Sequence, residues 1–147
     1  TMRMTTRGLY AIKAILSLVA ISEEQKPVSL NKIAQIENLS PEFLQQIFYK
    51  LRKGGILKSS RGPGGGFSLN KKPEEISAYD VLYAVGETLE IVPCASRRST
   101  MKACSRFDTC YVGPFWKEME NIIVEYAKSK SLKDISLARA HPEVISD

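Results

Sequence analysis

The order of cap and turn signals between Ser29 and Asn70 constrains the fold more than any other feature of this chain. Ser29 precedes a short helical pattern over Leu30–Glu37, with Ile33, Ala34 and Ile36 available to a core. Ser40-Pro41 then opens a second helix, because proline in the first helical position lacks only an N–H that would be unpaired anyway. Phe43, Leu44, Ile47, Phe48 and Leu51 recur at helical spacing through Arg52, and Gly54-Gly55 ends the run. Ile56–Ser60 and Phe67–Asn70 read as strands around Arg61-Gly62-Pro63-Gly64-Gly65-Gly66. Two short helices separated by a tight break and followed by a glycine-rich hairpin make the winged helix-turn-helix order. The expected fold is mainly α, with a small β-hairpin wing.

The flanks extend this unit. Leu9, Ile12, Ala14, Ile15, Leu18, Val19 and Ile21 give a helix over about Thr6–Ser22, followed by a polar break at Glu23–Pro27. Ser77 and Asp80 form a capping-box pattern ahead of Val81, Leu82, Ala84 and Val85, and that helix ends near Gly86. Pro114 begins a long helix to about Lys130, with Phe115, Met119, Ile122, Ile123 and Tyr126 along one stripe that Trp116 widens. A short helix with Leu132, Ile135 and Leu137 follows Ser131. The chain therefore divides into a winged helix-turn-helix DNA-binding unit over 1–75 and a loop-plus-dimerisation-helix region over 76–147. One winged-helix unit has little core to bury both Phe115 and Trp116 with Ile122 and Tyr126, so the stripe is expected to be a homodimer seam; intramolecular packing is the alternative.

Charge points to the partner. Residues 1–72 hold 12 basic and 4 acidic residues, whereas 73–147 hold 9 basic and 12 acidic, and Lys50–Lys72 carries seven basic residues and no acid. A basic half beside an acidic half favours a polyanion, here double-stranded DNA. The second helix of the motif offers Glu42, Gln45, Gln46, Tyr49, Lys50 and Arg52 to solvent. Glutamine can pair with adenine in bidentate fashion and Glu42 can accept from cytosine, while Lys50, Arg52 and Lys53 suit phosphates. Arg61 at the wing tip suits a narrow minor groove, and glycines such as Gly64 let the backbone approach. The plainer reading of these side chains is a solvated helix face. No Gly-Lys-Ser/Thr follows the glycine run, so a nucleotide loop is excluded. No enzyme is expected, because the sequence shows no nucleophile–base pair, no carboxylate dyad and one isolated histidine, His141. Ala11–Ile21, broken by Lys13 and Ser17, is too short to span a membrane, and no secretory signal is evident, so the cytoplasm is the expected compartment.

Cys94, Cys104 and Cys110 fall within one polar stretch. Their odd number argues against a disulfide framework, and their spacing lacks the close cysteine pairs of zinc knuckles. Three thiolates suit an iron–sulfur cluster with one iron left open, a labile corner useful to a sensor. Arg97, Arg98, Lys102 and Arg106 would favour the thiolate form. Three free or redox-active thiols are the alternative.

Met2-Arg3-Met4-Thr5-Thr6-Arg7-Gly8-Leu9-Tyr10-Ala11, Leu51-Arg52-Lys53-Gly54-Gly55 and Arg61-Gly62-Pro63-Gly64-Gly65-Gly66-Phe67 resemble the Rrf2 family of bacterial transcription regulators. The three-cysteine stretch followed by Phe115-Trp116 is similar to its iron–sulfur, IscR-type branch. The resemblance runs from Met2 to about Ala140. It implies a homodimer joined by the long C-terminal helix, a winged-helix reader of a palindromic operator, and a cluster on Cys94, Cys104 and Cys110 that tunes which operators are bound. The chain departs from the pattern at two places. Gly113 stands where IscR-type members carry a histidine, and Leu9 stands where the nitric-oxide-sensing branch carries an acidic ligand. The fourth ligand is left open among Asp108, Tyr111, His141, water and a small thiol, and the cluster between 2Fe-2S and 4Fe-4S. A cluster-free repressor controlled by thiol oxidation or a partner enzyme is the competing expectation. A redox or cluster-carrier protein whose basic half binds an acidic protein is a second.

Overall fold

The computed structural model describes residues 4–22, 24–91 and 111–138. In chain order these form α1 (Thr6–Ile21), α2 (Leu30–Glu37), α3 (Pro41–Lys53), β1 (Leu57–Ser60), β2 (Gly66–Leu69), a 3₁₀ turn at Pro73–Glu75, α4 (Ala78–Ala84), α5 (Gly113–Ser129) and α6 (Leu132–Ala138). The helix starts follow from short polar side chains that accept orphan backbone N–H groups. Ser29 Oγ accepts from Lys32 N at 3.3 Å, Ser40 Oγ from Phe43 N at 3.2 Å, and Ser77 with Asp80 closes a full capping box. Ser131 and Asp134 exchange the same pair of bonds at the start of α6. Asn38 ends α2 in the left-handed conformation, φ 52°, which asparagine tolerates better than most residues, and so turns the chain into α3.

One buried cluster holds the molecule together. Ile15 and Leu18 of α1 meet Ile33 of α2, Leu44, Ile47, Phe48 and Leu51 of α3, Leu57 of β1, Val81 of α4, Val85 just after it, and Leu132 of α6. Burying each such side chain contributes about 1.5–3 kcal/mol before the entropy of ordering is subtracted. Two residues expected in the core lie outside it: Ile36 and Leu9 are both more than half exposed. On the two turns of α2, Ile33 and Ala34 occupy the inward side and Ile36 falls off it; Leu9 lies across α1 from Ala11, Ala14, Ile15 and Leu18.

The wing is an antiparallel pair in the register Leu57↔Leu69, Lys58↔Ser68, Ser59↔Phe67, Ser60↔Gly66. Val28 adds a third pairing, which local pattern did not reveal: Val28 N–H donates to Phe67 O and Phe67 N–H to Val28 O, both at 2.8 Å. This close approach requires Gly66, at φ 149°, since a Cβ there would overlap the Val28 carbonyl. The Phe48 and Phe67 rings meet edge-to-face at 5.1 Å and anchor the wing on α3. A second unforeseen bridge joins the chain before α4 to the end of α5. Ala78 N–H donates to Lys130 O and Leu132 N–H to Ile76 O, both at 2.8 Å. Among the described residues no helix is long and apolar enough to cross a membrane.

Candidate nucleic-acid interface

Helix α3 is amphipathic in a way that separates packing from reading. Leu44, Ile47, Phe48 and Leu51 are buried, while Glu42, Gln45, Gln46 and Tyr49 are exposed at the i, i+3, i+4, i+7 spacing of a single stripe. Arg52 is held in place: its guanidinium lies 5.6 Å from the centre of the Tyr49 ring and Nη1 donates to Ser59 Oγ at 3.4 Å, linking α3 to β1. Lys53 is exposed and Lys50 half-buried. Arg61, just past β1, is exposed, and Gly62 and Gly64 take positive φ values of 91° and 75° to close the wing tip. Among the described residues the ion pairs are Lys117–Glu120, Lys128–Glu125 and Lys133–Glu74, none of them on α3 or the wing. Among the described residues no ion pair therefore offsets Lys50, Arg52, Lys53 or Arg61.

Helix α5 shows the opposite pattern. Phe115, Ile122 and Tyr126 are 56%, 63% and 64% exposed, and Trp116, Met119 and Ile123 are half-buried, whereas Gly113, Glu120 and Ala127 face inward. The Phe115 and Trp116 rings pack at 5.0 Å. Among the described residues nothing covers this stripe, and exposed apolar surface of this kind is characteristic of interaction sites.

Cys94, Cys104 and Cys110 lie outside the described residues, as do Asp108, His141, the neighbouring Arg97, Arg98, Lys102 and Arg106, and the short helical turn expected among them. The described flanks meet: Glu87, Thr88, Leu89 and Glu90 line one cleft with Lys117, Glu120 and Asn121 of α5. The chain leaving α4 thus lies beside α5, which follows the cysteine stretch in sequence. Gly113 is buried in the first turn of α5 and carries no donor atom. Tyr111 is almost fully exposed. Among the described residues no group of three or more His, Cys, Asp or Glu side chains could hold a metal ion. One polar contact had no signal in the sequence. Glu87, 7% exposed, accepts from Thr5 N–H at 3.3 Å and from the Thr5 hydroxyl, across 82 positions of chain.

A model of the Rrf2 family, described as an iron-dependent transcriptional regulator, matches residues 4–137. The HTH-type transcriptional regulator IscR of Photorhabdus laumondii is 35% identical over 134 residues, covering 91% of this chain and 79% of its own. The solved structure of T. potens IscR aligns with a TM-score of 0.73 at 28% identity, over 96% of this chain and 90% of that one. CymR of B. subtilis, described as the global cysteine regulator, aligns with a TM-score of 0.74 at 26% identity, over 94% and 98%.

Proposed function

The chain belongs to the Rrf2 family of transcriptional regulators, and from that premise we propose that it is a cytoplasmic homodimer that reads a palindromic operator and senses cluster, redox or iron status through its three cysteines. It is a regulator of the Rrf2/IscR type and not an enzyme. The observation that carries the DNA reading is the exposed Glu42–Gln45–Gln46–Tyr49 stripe beside a wing whose basic residues have no carboxylate partners among the described residues. In this reading Glu42, Gln45 and Gln46 meet base edges beside Tyr49, Lys50, Arg52 and Lys53 hold phosphates, and Arg61 with Gly64 enters the minor groove. Phe115, Trp116, Met119, Ile122, Ile123 and Tyr126 meet their counterparts on a second copy.

The donor chemistry of Cys94, Cys104 and Cys110 fits an iron–sulfur cluster, and the likeness to proteins named IscR supports that assignment. When bound, such a cluster supplies a centre that is gained, lost or oxidised reversibly, with one iron lacking a protein thiolate. The chain's own part is transmission. Helix α5 packs on α4, and α4 packs on both α1 and α3, so a change at the N-terminal half of α5 reaches the reading helix through packed elements. The dimer then populates one of two arrangements of its paired α3 helices.

The deciding experiment measures iron and acid-labile sulfide per chain, with a visible spectrum, on protein purified without oxygen. Stoichiometric iron and sulfide that Cys104→Ala abolishes, with the dimer intact, supports the sensor. Substoichiometric iron after reconstitution, or full iron in Cys104→Ala, overturns the cluster assignment. A second reading rests on the equal likeness to CymR and on the missing donor at Gly113: a cluster-free repressor governed by thiol oxidation or a partner enzyme. That reading gives colourless protein whose operator binding ignores iron.

A further inference from the structure

Lys50, Lys53 and Lys71 converge on one cleft of about 480 Å³ between the last turns of α3, the foot of the wing and α4. Ile56, Ile76 and Ala84 also line it, and α4 adds Tyr79 and Tyr83. Lys50 is half-buried, and none of the three lysines has a carboxylate partner among the described residues. Asp80, the one acid in the lining, has its Oδ2 engaged by Ser77 N–H at 3.0 Å in the cap of α4, so the lining sets three positive charges against one negative.

Physical chemistry narrows what such a cleft can hold. Three lysine side chains lining one concavity bring like charges together, and among the described residues no ion pair offsets their repulsion. The negative end of the α3 dipole accounts for basic residues in its last turn, but not for Lys71, which arrives from the far end of β2. Concave walls focus the field of this net positive lining onto one volume. That volume lies in the range of small-molecule sites, and its apolar and aromatic lining suits a ligand with a hydrophobic body.

We propose that this cleft binds a small organic anion carrying at least two carboxylate or phosphate charges on an apolar or aromatic body, with Lys50, Lys53 and Lys71 as its counter-charges. The anion and the DNA backbone would compete for Lys50 and Lys53, so the consequence of binding rests on the function proposed above, while binding to the DNA-free protein does not. Gly54 of α3 and Ala84 of α4 stand so close that a Cβ on Gly54 would come within 2.9 Å of the Ala84 Cβ, and the cleft opens beside this contact. An occupant that spans from the lysines to the tyrosines sets the angle between α3 and α4, and so acts as an effector of the reading helix.

The test is calorimetric titration of the full chain, free of DNA, with isophthalate for the carboxylate source and phenyl phosphate for the phosphate source, each at ionic strength matched by sodium chloride. Saturable binding of one ligand per chain by either probe is expected, and whichever binds identifies the source. Lys71→Ala weakens it about tenfold or more, the loss of one charge-assisted contact. Lys133→Ala, outside the cleft, leaves it unchanged. Failure of both probes to saturate, or an unchanged dissociation constant in Lys71→Ala, overturns the proposal. So does a Lys71→Ala variant that weakens operator binding with probe affinity intact, because the cleft is then a DNA-backbone contact. Probe binding without any operator binding sinks the DNA reading and leaves this site standing.

Discussion

Glu87 caps the start of α1 from the other side of the molecule, receiving both the N–H and the hydroxyl of Thr5. Thr5 in turn accepts Gly8 N–H at 3.2 Å, so the first turn of α1 and the chain leaving α4 share one hydrogen-bond system. Gly8 makes room for it: a Cβ there would collide with the Glu87 carboxylate. Glu87→Ala is expected to destabilise the protein by about 1–3 kcal/mol, through loss of the Thr5 hydrogen bonds to a buried carboxylate. Gly8→Ala moves in the same direction, by crowding instead of loss. Urea denaturation of both variants checks this, and a wild-type midpoint for either discards the shared cap as a stabilising feature.

Gly66→Ala tests the third pairing of the wing. The residue sits at φ 149° with its α-carbon against the Val28 carbonyl, so both conformation and space oppose a side chain. A loss of about 2 kcal/mol or more is expected, with the Val28 and Phe67 amides losing protection from hydrogen exchange. Loss confined to global stability, with those amides still protected, contradicts the account.

Gln45→Ala and Arg61→Ala separate base reading from groove anchoring. Gln45→Ala is expected to relax preference at one base pair, by about 1–3 kcal/mol of discrimination. Arg61→Ala weakens binding at low and moderate salt and makes the salt dependence shallower by about one counterion. Binding assays across a salt series and a set of single-base operator variants read out both; unchanged affinity in both variants removes the assigned surface.

Ile122→Asp places a charge in the centre of the open α5 stripe. The expected result is a folded monomer by light scattering, with operator affinity reduced at least tenfold because two half-sites are no longer read together. A dimer of unchanged mass shows that the stripe is not the seam.

The Asp134 carboxyl is held below the usual carboxylate range, first by the Ser131 backbone N–H and then by the Ser131 hydroxyl, with Lys130 and Lys133 adding to it. A carboxylate whose pKa is depressed on folding stabilises the fold above its ordinary pKa, and that contribution disappears as pH falls through the depressed value. The cap of α6 should therefore persist through mild acid and fray only below the ordinary carboxylate range. An NMR titration following Asp134 and the Ser131 amide reads this directly, and Asp134→Asn should abolish the transition.

Elements with a cap and a period were legible from residues alone: Ser29, Ser40 and Ser77 each open a helix as expected, and the polar stripe of α3 lies in solvent. Glycines marked the wing, though its strands are Leu57–Ser60, one residue shorter than the expected run, and Gly66–Leu69, one residue earlier. What was not legible depends on partners far away in sequence. Val28 has no alternating neighbours to announce a strand, and its pairing exists only because Gly66 admits it. Nothing near Arg52 foretells that Ser59 and Tyr49 hold its guanidinium, nor does anything near Glu87 foretell Thr5. Periodicity assigns a face within one helix; it does not say which face meets which.

The bridge between Ser77 and Ser131 gives α5 a mechanical character. Two backbone hydrogen bonds pin the residues just past its C-terminal end to the root of α4, while its other end borders the cysteine stretch. A helix of 17 residues is a rod of roughly 25 Å at about 1.5 Å per residue. With a pivot at one end, a sideways displacement of about 2 Å at Gly113 becomes a tilt of about 5° along that rod. A displacement at the start of α5 would thus be geared into rotation at α4, and two copies joined along α5 would swing their reading helices in senses related by the two-fold axis.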